Sequence, residues 1–214
     1  MKPISDLPDA QCHPQRPDEA SGDGAERALL TAVANGDRVA FQRLYTHYYT
    51  RLIRFLTRHT SRRDLLDEII NDVFWIVWRK APEFRGDSKV GTWIIGIAYR
   101  CMLKTLRFEP ASRESAEFTD DDMDGGCTDT PEAEQRELRD WVMRGLATLP
   151  PEQRMTLELA YYLGQSCEEI AAIMNCAVGT VKARMFHARL RLRNTLPAIG
   201  GDTAVPVRFP ESAP

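Results

Sequence analysis

SCEEIAAIMNCAVGTVKARMFHARLRLR, residues Ser166 to Arg193, is the stretch whose reading decides the fold. Ile170, Ala171 and Met174 recur at helical spacing and give a short first helix its inner face. Ser166 stands before that helix as an N-cap, and Glu168 and Glu169 occupy its first turn, where carboxylates complement the helix dipole. Asn175, Cys176 and Ala177 form a tight turn. In the second helix Val178, Val181, Met185, Ala188 and Leu192 follow the rhythm of a buried stripe. Lys182, Arg184, Phe186, His187, Arg189, Arg191 and Arg193 fall mostly outside it. Phe186 follows Lys182 by one helical turn, so the ring is expected on the basic face. Two helices joined in this way place side chains in a DNA major groove.

The whole chain bounds that reading. Its 214 residues suffice for two small domains but not for a large enzyme core. A formal net charge of −3 is not that of a generic nucleic-acid coat, so any DNA contact must come from local patches. No apolar run approaches the roughly 20 residues that span a bilayer, so no stable membrane insertion is expected. The N-terminal MKPISDLPDAQC lacks the charged and apolar regions of a secretion signal. Cys12, Cys101, Cys127, Cys167 and Cys176 are scattered and odd in number, which disfavours disulfide frameworks and zinc ribbons and fits a reducing cytoplasm. Cys12 beside His13 is too small a ligand set to define a metal site. No glycine-rich phosphate loop and no nucleophile with a placed base is visible, so neither an enzyme nor a cofactor is expected. His47, His59 and His187 are isolated and read as surface or groove residues, and Trp75, Trp78 and Trp93 as core.

Along the chain, the pattern predicts an all-α protein with two small helical domains. Residues 1–25, rich in Pro, Asp and Gly, read as a disordered tail. Residues 26–108 form the first domain. It starts with a short helix to about Ala34, stopped by Asn35-Gly36-Asp37. A second helix, from Val39 to about His59, carries Phe41, Leu44, Tyr45, Tyr48, Leu52, Phe55 and Leu56 as its stripe. A third, capped by Thr60 or Ser61, runs to about Lys80 with Leu65, Ile69, Ile70, Val73, Phe74, Val77 and Trp78 inward. A polar loop (Pro82 to Gly91) leads to a fourth, from about Thr92 to Phe108. Residues 109–133 read as an acidic linker: between Glu109 and Thr130 eight Asp or Glu stand against one Arg, too charged to pack a core. Residues 134–196 hold the second domain, with the break at Pro150-Pro151 and the helix-turn-helix. Residues 197–214 read as a loose tail.

Taken together, the FRGDSKVGTWIIGIAYR segment (Phe84 to Arg100) and the block LPPEQRMTLELAYYLGQSCEEIAAIMNCAVGTVKARMFHAR resemble bacterial sigma factors of the sigma-70 superfamily. The compact two-domain form resembles the extracytoplasmic-function (ECF) class. That resemblance implies a sigma region 2-like domain and a region 4-like domain, and a chain that binds core RNA polymerase and directs promoter-specific initiation. It implies that Asp67, Glu68, Ile69, Asn71, Asp72 and Phe74 grip the clamp helices of the largest polymerase subunit, with the region 4-like domain meeting the flap. It implies that Phe84, Arg85, Asp87, Ser88, Lys89 and Trp93 belong to the element that captures a flipped base of the −10 region. Arg100, Lys104 and Arg107 would hold the phosphates of that non-template strand. Thr180, Lys182, Arg184, Phe186 and His187 would enter the −35 major groove, with Arg189 and Arg191 on phosphate. The acidic linker would thread the polymerase cleft.

Several positions depart from the family pattern. Cys101 stands where Asn is common after the arginine matched by Arg100, and Lys104 where an acidic residue is common. Ala183 replaces a common Ser, and Ala177 holds an N-cap position without being able to cap. Arg62 and Arg63 precede the polymerase-binding helix where the family is often more acidic. Since some members of the class work with Ser/Thr kinases rather than anti-sigma factors, Thr60 and Ser61 are candidate phosphorylation sites: a phosphate at a helix N-terminus would suit its dipole and offset the arginines. An anti-sigma factor is the other candidate regulator. The rival reading is a stand-alone helix-turn-helix regulator that binds duplex DNA without polymerase.

Overall fold

A computed structural model describes residues 19–60, 62–108 and 132–199, and every regular element among them is helical. The first four helices are α1 (Glu19–Ala34), α2 (Arg38–Leu56), α3 (Arg63–Lys80) and α4 (Val90–Phe108), with a 3₁₀ turn at Ala81–Glu83 between the last two. The second four are α5 (Glu132–Ala147), α6 (Pro151–Tyr161), α7 (Cys167–Met174) and α8 (Val178–Ile199).

The α1–α2 corner follows from its sequence. Gly36 adopts φ 86° without a side-chain penalty. Asp37 then caps α2, its carboxylate accepting from the Val39 and Ala40 amides at 2.7 and 3.1 Å. Ala40, Leu44, Tyr48, Leu52, Phe55 and Leu56 are buried, one face of a 3.6-residue period. They meet Leu66, Ile69, Ile70, Val73, Phe74 and Val77 of α3 and Ile94, Ile95, Ile97, Ala98 and Met102 of α4. Tyr48 is fully buried and its hydroxyl donates to Glu26 of α1. Gly91 lets α4 start against that ring: a Cβ there would lie 2.9 Å from the Tyr48 hydroxyl oxygen.

In the second half, Pro151 opens α6 at a position that needs no amide donor. Residues Met155 to Ala160 of that helix are all buried. A capping box starts α7: Ser166 Oγ accepts from the Glu169 amide at 3.2 Å, and Glu169 Oε2 accepts from the Ser166 amide at 2.8 Å. Asn175 ends it in the left-handed region, φ 52°. The Ala177 carbonyl accepts from Thr180 and Val181, so α8 begins there with no side-chain cap. Val181, Met185 and Ala188 are its buried stripe, and Val178 and Leu192 pack against the core.

Four expectations need correction. The first helix starts at Glu19, seven residues before the expected boundary, because tertiary contacts of Asp23 and Arg27 hold it despite Gly22 and Gly24. The third helix starts at Arg63, so Thr60 stands too early to cap it; Arg62 is the N-cap residue and gives no side-chain hydrogen bond. Thr60 Oγ1 instead accepts from the Arg62 amide at 3.3 Å. Trp75 is not core: it is 60% exposed. The last helix continues through Pro197 to Ile199, past the expected loose tail's start. Ser61 and the expected linker up to residue 131 lie outside the described residues, as does the Cys12-His13 pair.

Candidate nucleic-acid and polymerase interfaces

The helix-turn-helix displays its basic face as the spacing implies. Burying Val181, Met185 and Ala188 turns Lys182, Phe186, His187 and Arg191 outward, and Thr180 is exposed at the helix start. Phe186 is 51% exposed and meets the His187 ring edge-on at 5.4 Å. Arg184 and Arg189 are partly engaged. Arg184 is half-buried, with Nη1 3.7 Å from Cys176 Sγ, and Arg189 donates to the Tyr161 hydroxyl at 2.9 Å.

The segment from Phe84 to Lys89 forms a loop between the 3₁₀ turn and α4. Phe84 and Trp93 are half-buried and lean together, ring centroids 5.2 Å apart, so they wall the loop's inner side. Arg85 and Asp87 are exposed; Ser88 and Lys89 are half-buried. Arg100, Lys104 and Arg107 stand exposed along the outer side of α4, one helical face.

On α3, Asp67, Glu68, Asn71 and Asp72 are exposed on one face. Ile69 and Phe74, expected to share in gripping a partner, are only 1% and 2% exposed and belong to the core. Phe74 packs against the Phe41 and Tyr45 rings of α2. Trp75, 60% exposed, follows Asn71 and Asp72 by one turn and gives the acidic face an apolar centre. Its position one residue off the 70, 73, 77 stripe was a signal available in the sequence.

A further cluster has no counterpart among the expected residues. Glu158, in the middle of α6, is fully buried, and its Oε2 lies 2.7 Å from Nε2 of His59, whose side chain is 10% exposed. Arg154 Nε reaches Glu158 Oε1 at 2.9 Å, while Arg154 Nη2 donates to the Arg58 carbonyl at 2.7 Å. Burial alone would push the Glu158 carboxyl up; the His59 and Arg154 contacts outweigh it and hold it below the ordinary carboxylate range. Arg58 stacks 3.4 Å over the Tyr162 ring. His59 is therefore a buried partner across the two halves, not an isolated surface residue.

The same junction reaches the loop. Thr92 Oγ1 donates to Gln165 Oε1 at 3.0 Å, and Arg51 donates to the Leu163 carbonyl. Lys89 Nζ lies 3.1 Å from Glu169 Oε1. Glu169 thus uses one oxygen to cap α7 and the other to hold the loop lysine. Among the described residues, no helix is long and apolar enough to cross a membrane.

Comparison with known proteins places this architecture. Residues 44–109 match the family model "Sigma-70 region 2" and residues 139–192 match "Sigma-70, region 4". The chain is 34% identical over 178 residues to the ECF RNA polymerase sigma-E factor of Escherichia coli, covering 79% of this chain and 93% of that one. It is 32% identical over 180 residues to the sigma-E factor of Haemophilus influenzae, covering 80% and 95%. Two solved structures share the fold: CnrH in complex with the cytosolic domain of CnrY (TM-score 0.61, 24% identity, 81% of this chain and 98% of that one), and the Bartonella quintana sigma factor RpoE in complex with the anti-sigma factor NepR (TM-score 0.54, 24% identity, 73% and 96%). The pairing of a region 2 module with a region 4 module defines a sigma factor rather than a stand-alone helix-turn-helix regulator. The chain belongs to the ECF sigma factors.

Proposed function

We propose that this sigma factor docks on core RNA polymerase through the α3 face centred on Trp75 and reads promoters at two places. The loop Phe84 to Lys89 with Trp93 captures a −10 base, Arg100, Lys104 and Arg107 hold the melted strand, and Thr180, Lys182, Arg184, Phe186 and His187 enter the −35 groove, flanked by Arg189 and Arg191. The observation that carries this reading is the exposed basic face of α8, set opposite its buried stripe in a chain whose net charge is −3. Acidic residues beside Trp75 suit a partner helix with basic side chains, where charge steers and the ring anchors. The region 4 module meets the flap. Action is by binding alone, without catalysis or cofactor, and takes place in the cytoplasm.

Reading both elements requires the two modules to part. The −10 and −35 elements lie about 25 base pairs apart, roughly 85 Å along B-DNA at ~3.4 Å per pair. Here Lys89 of the loop sits 3.1 Å from Glu169 of the helix-turn-helix, and a 22-residue α8 is only about 33 Å long. The packed arrangement is the free form, and polymerase with promoter draws it open. An anti-sigma factor, such as the NepR bound by the Bartonella quintana neighbour, would act by holding such a form closed. A kinase acting on Thr60 or Ser61 is a second route. Its charge argument is weakened here because Arg62 is already paired with Asp64, whose carboxyl is held below its ordinary range by that contact.

Run-off transcription with core RNA polymerase on genomic fragments tests the reading. Discrete transcripts that require both polymerase and this chain are expected. Specific duplex binding without polymerase, and no transcripts with it, would overturn it.

A further inference from the structure

The loop assigned to the −10 base is held from outside by α1, whose first turns the sequence pattern did not foresee. Arg27 Nη2 donates to the carbonyls of Gly86 and Ser88, at 3.4 and 3.2 Å. Its guanidinium carbon lies 6.0 Å from the centroid of the Phe84 ring. Asp23 fixes the arginine, accepting from Nε at 2.8 Å, and its other oxygen accepts from the Val90 amide at 3.4 Å. That amide is one of the donors left without an intrahelical partner at the start of α4. One turn of α1 therefore satisfies two loop carbonyls and the first amide of the helix that follows. Gly86 is the fitted counterpart: its φ is 78°, and a Cβ there would sit 2.7 Å from Arg27 Nη1.

We propose that Arg27, oriented by Asp23, is a positioning residue that sets the shape of the base-reading loop and with it the −10 specificity of this sigma factor. The inference rests on the reading of Phe84 to Lys89 as the −10 loop. Arg27 touches no base itself. Its Nη2 serves two carbonyls that a flexible loop would otherwise leave to water while Nε is held by Asp23, so the loop is shaped before DNA arrives and a base meets fixed polar groups rather than ordering them. The exposed side chains of Arg85 and Asp87 are free of this hold and remain available to the nucleic acid.

The test is competitive transcription by holoenzyme on promoter templates that differ only at −10 bases, with core-binding affinity and the effect of −35 substitutions measured in parallel. Arg27→Ala and Gly86→Ala are each expected to lower the preference for the best −10 base by about tenfold, the scale of one good base contact. Core affinity and −35 discrimination should stay as in the wild type. Arg27→Lys should not restore the preference, since an ammonium is a single point donor and cannot hold Asp23 through one nitrogen and the two carbonyls through another. Wild-type discrimination in Arg27→Ala, or full rescue by Arg27→Lys, overturns the positioning role. So does a parallel loss of core affinity and −35 discrimination, which would mark a general folding defect. A wild-type protein that ignores −10 substitutions altogether overturns the loop's reading role as well.

Discussion

His59 Nε2 and Glu158 Oε2 lie 2.7 Å apart although one residue lies just beyond the end of α2 in the region 2 module and the other sits inside the region 4 module. Such a pair stabilises docking only while both members are present, because a buried carboxylate that loses a partner keeps its desolvation cost. His59→Ala is expected to destabilise the docked form by about 1–3 kcal/mol, less than for a fully orphaned charge because Arg154 remains in place. Small-angle scattering of the free protein should then show an increased radius of gyration. An unchanged radius together with an unchanged melting curve would contradict the latch.

The pair also gives docking a pH dependence with a definite sign. A carboxyl whose value in the docked form lies below its ordinary value of about 4.3 favours docking above that value. The gain is lost as pH falls through the depressed value. Radius of gyration followed from pH 7 downward should hold steady to about pH 5 and rise below it, and Glu158→Gln should flatten that acid limb.

Trp75 separates surface from core on one helix. Trp75→Ala should weaken binding to core polymerase by about 30-fold or more, the scale of an aromatic anchor, while shifting Tm little. Ile69→Ala should cost about 2–5 kcal/mol of stability instead, because it opens a cavity. Fluorescence anisotropy with core enzyme and thermal melts distinguish the two.

On α8, Lys182→Ala is expected to cost about 1–3 kcal/mol of binding and to relax the preference at one −35 position. Arg191→Ala should weaken binding across all sequences and lower the salt slope by about 1. Competition assays with holoenzyme at several salt concentrations read both effects.

Ala177 leaves α8 uncapped, since only its carbonyl serves the helix start. Ala177→Ser should raise stability by about 1 kcal/mol, measured by denaturant unfolding.

Where the sequence carried periodic burial, it located the helices well. The Val181, Met185 and Ala188 stripe, the Ser166 cap and the basic face opposite follow from spacing alone. Features made by distant residues escaped it. His59 shows no partner in its neighbourhood, and the available clue lay elsewhere: Glu158, set among Leu157, Leu159 and Ala160, is a carboxylate in an otherwise apolar run and demands a partner. Composition misplaced the start of α1 because Gly22 and Gly24 argue against helix, whereas Asp23 and Arg27 anchor that turn through contacts 59 to 67 residues away. In Phe74-Trp75-Ile76-Val77-Trp78 every residue is apolar, so only its spacing from the 70, 73, 77 stripe, and not hydrophobicity, marks Trp75 as outward.

Glu169 caps α7 with one oxygen and holds Lys89 with the other, which joins the loop before α4 to the helix-turn-helix in one carboxylate. Under the proposed function, a promoter with one good element rewards one module and leaves the cost of separating the pair unmet. A promoter with both elements adds two gains against that single cost, and the equilibrium moves by their sum. The chain then behaves as a coincidence detector. Strengthening the junction would raise the threshold for weak promoters and sharpen the choice among them, while leaving every DNA-facing side chain unchanged.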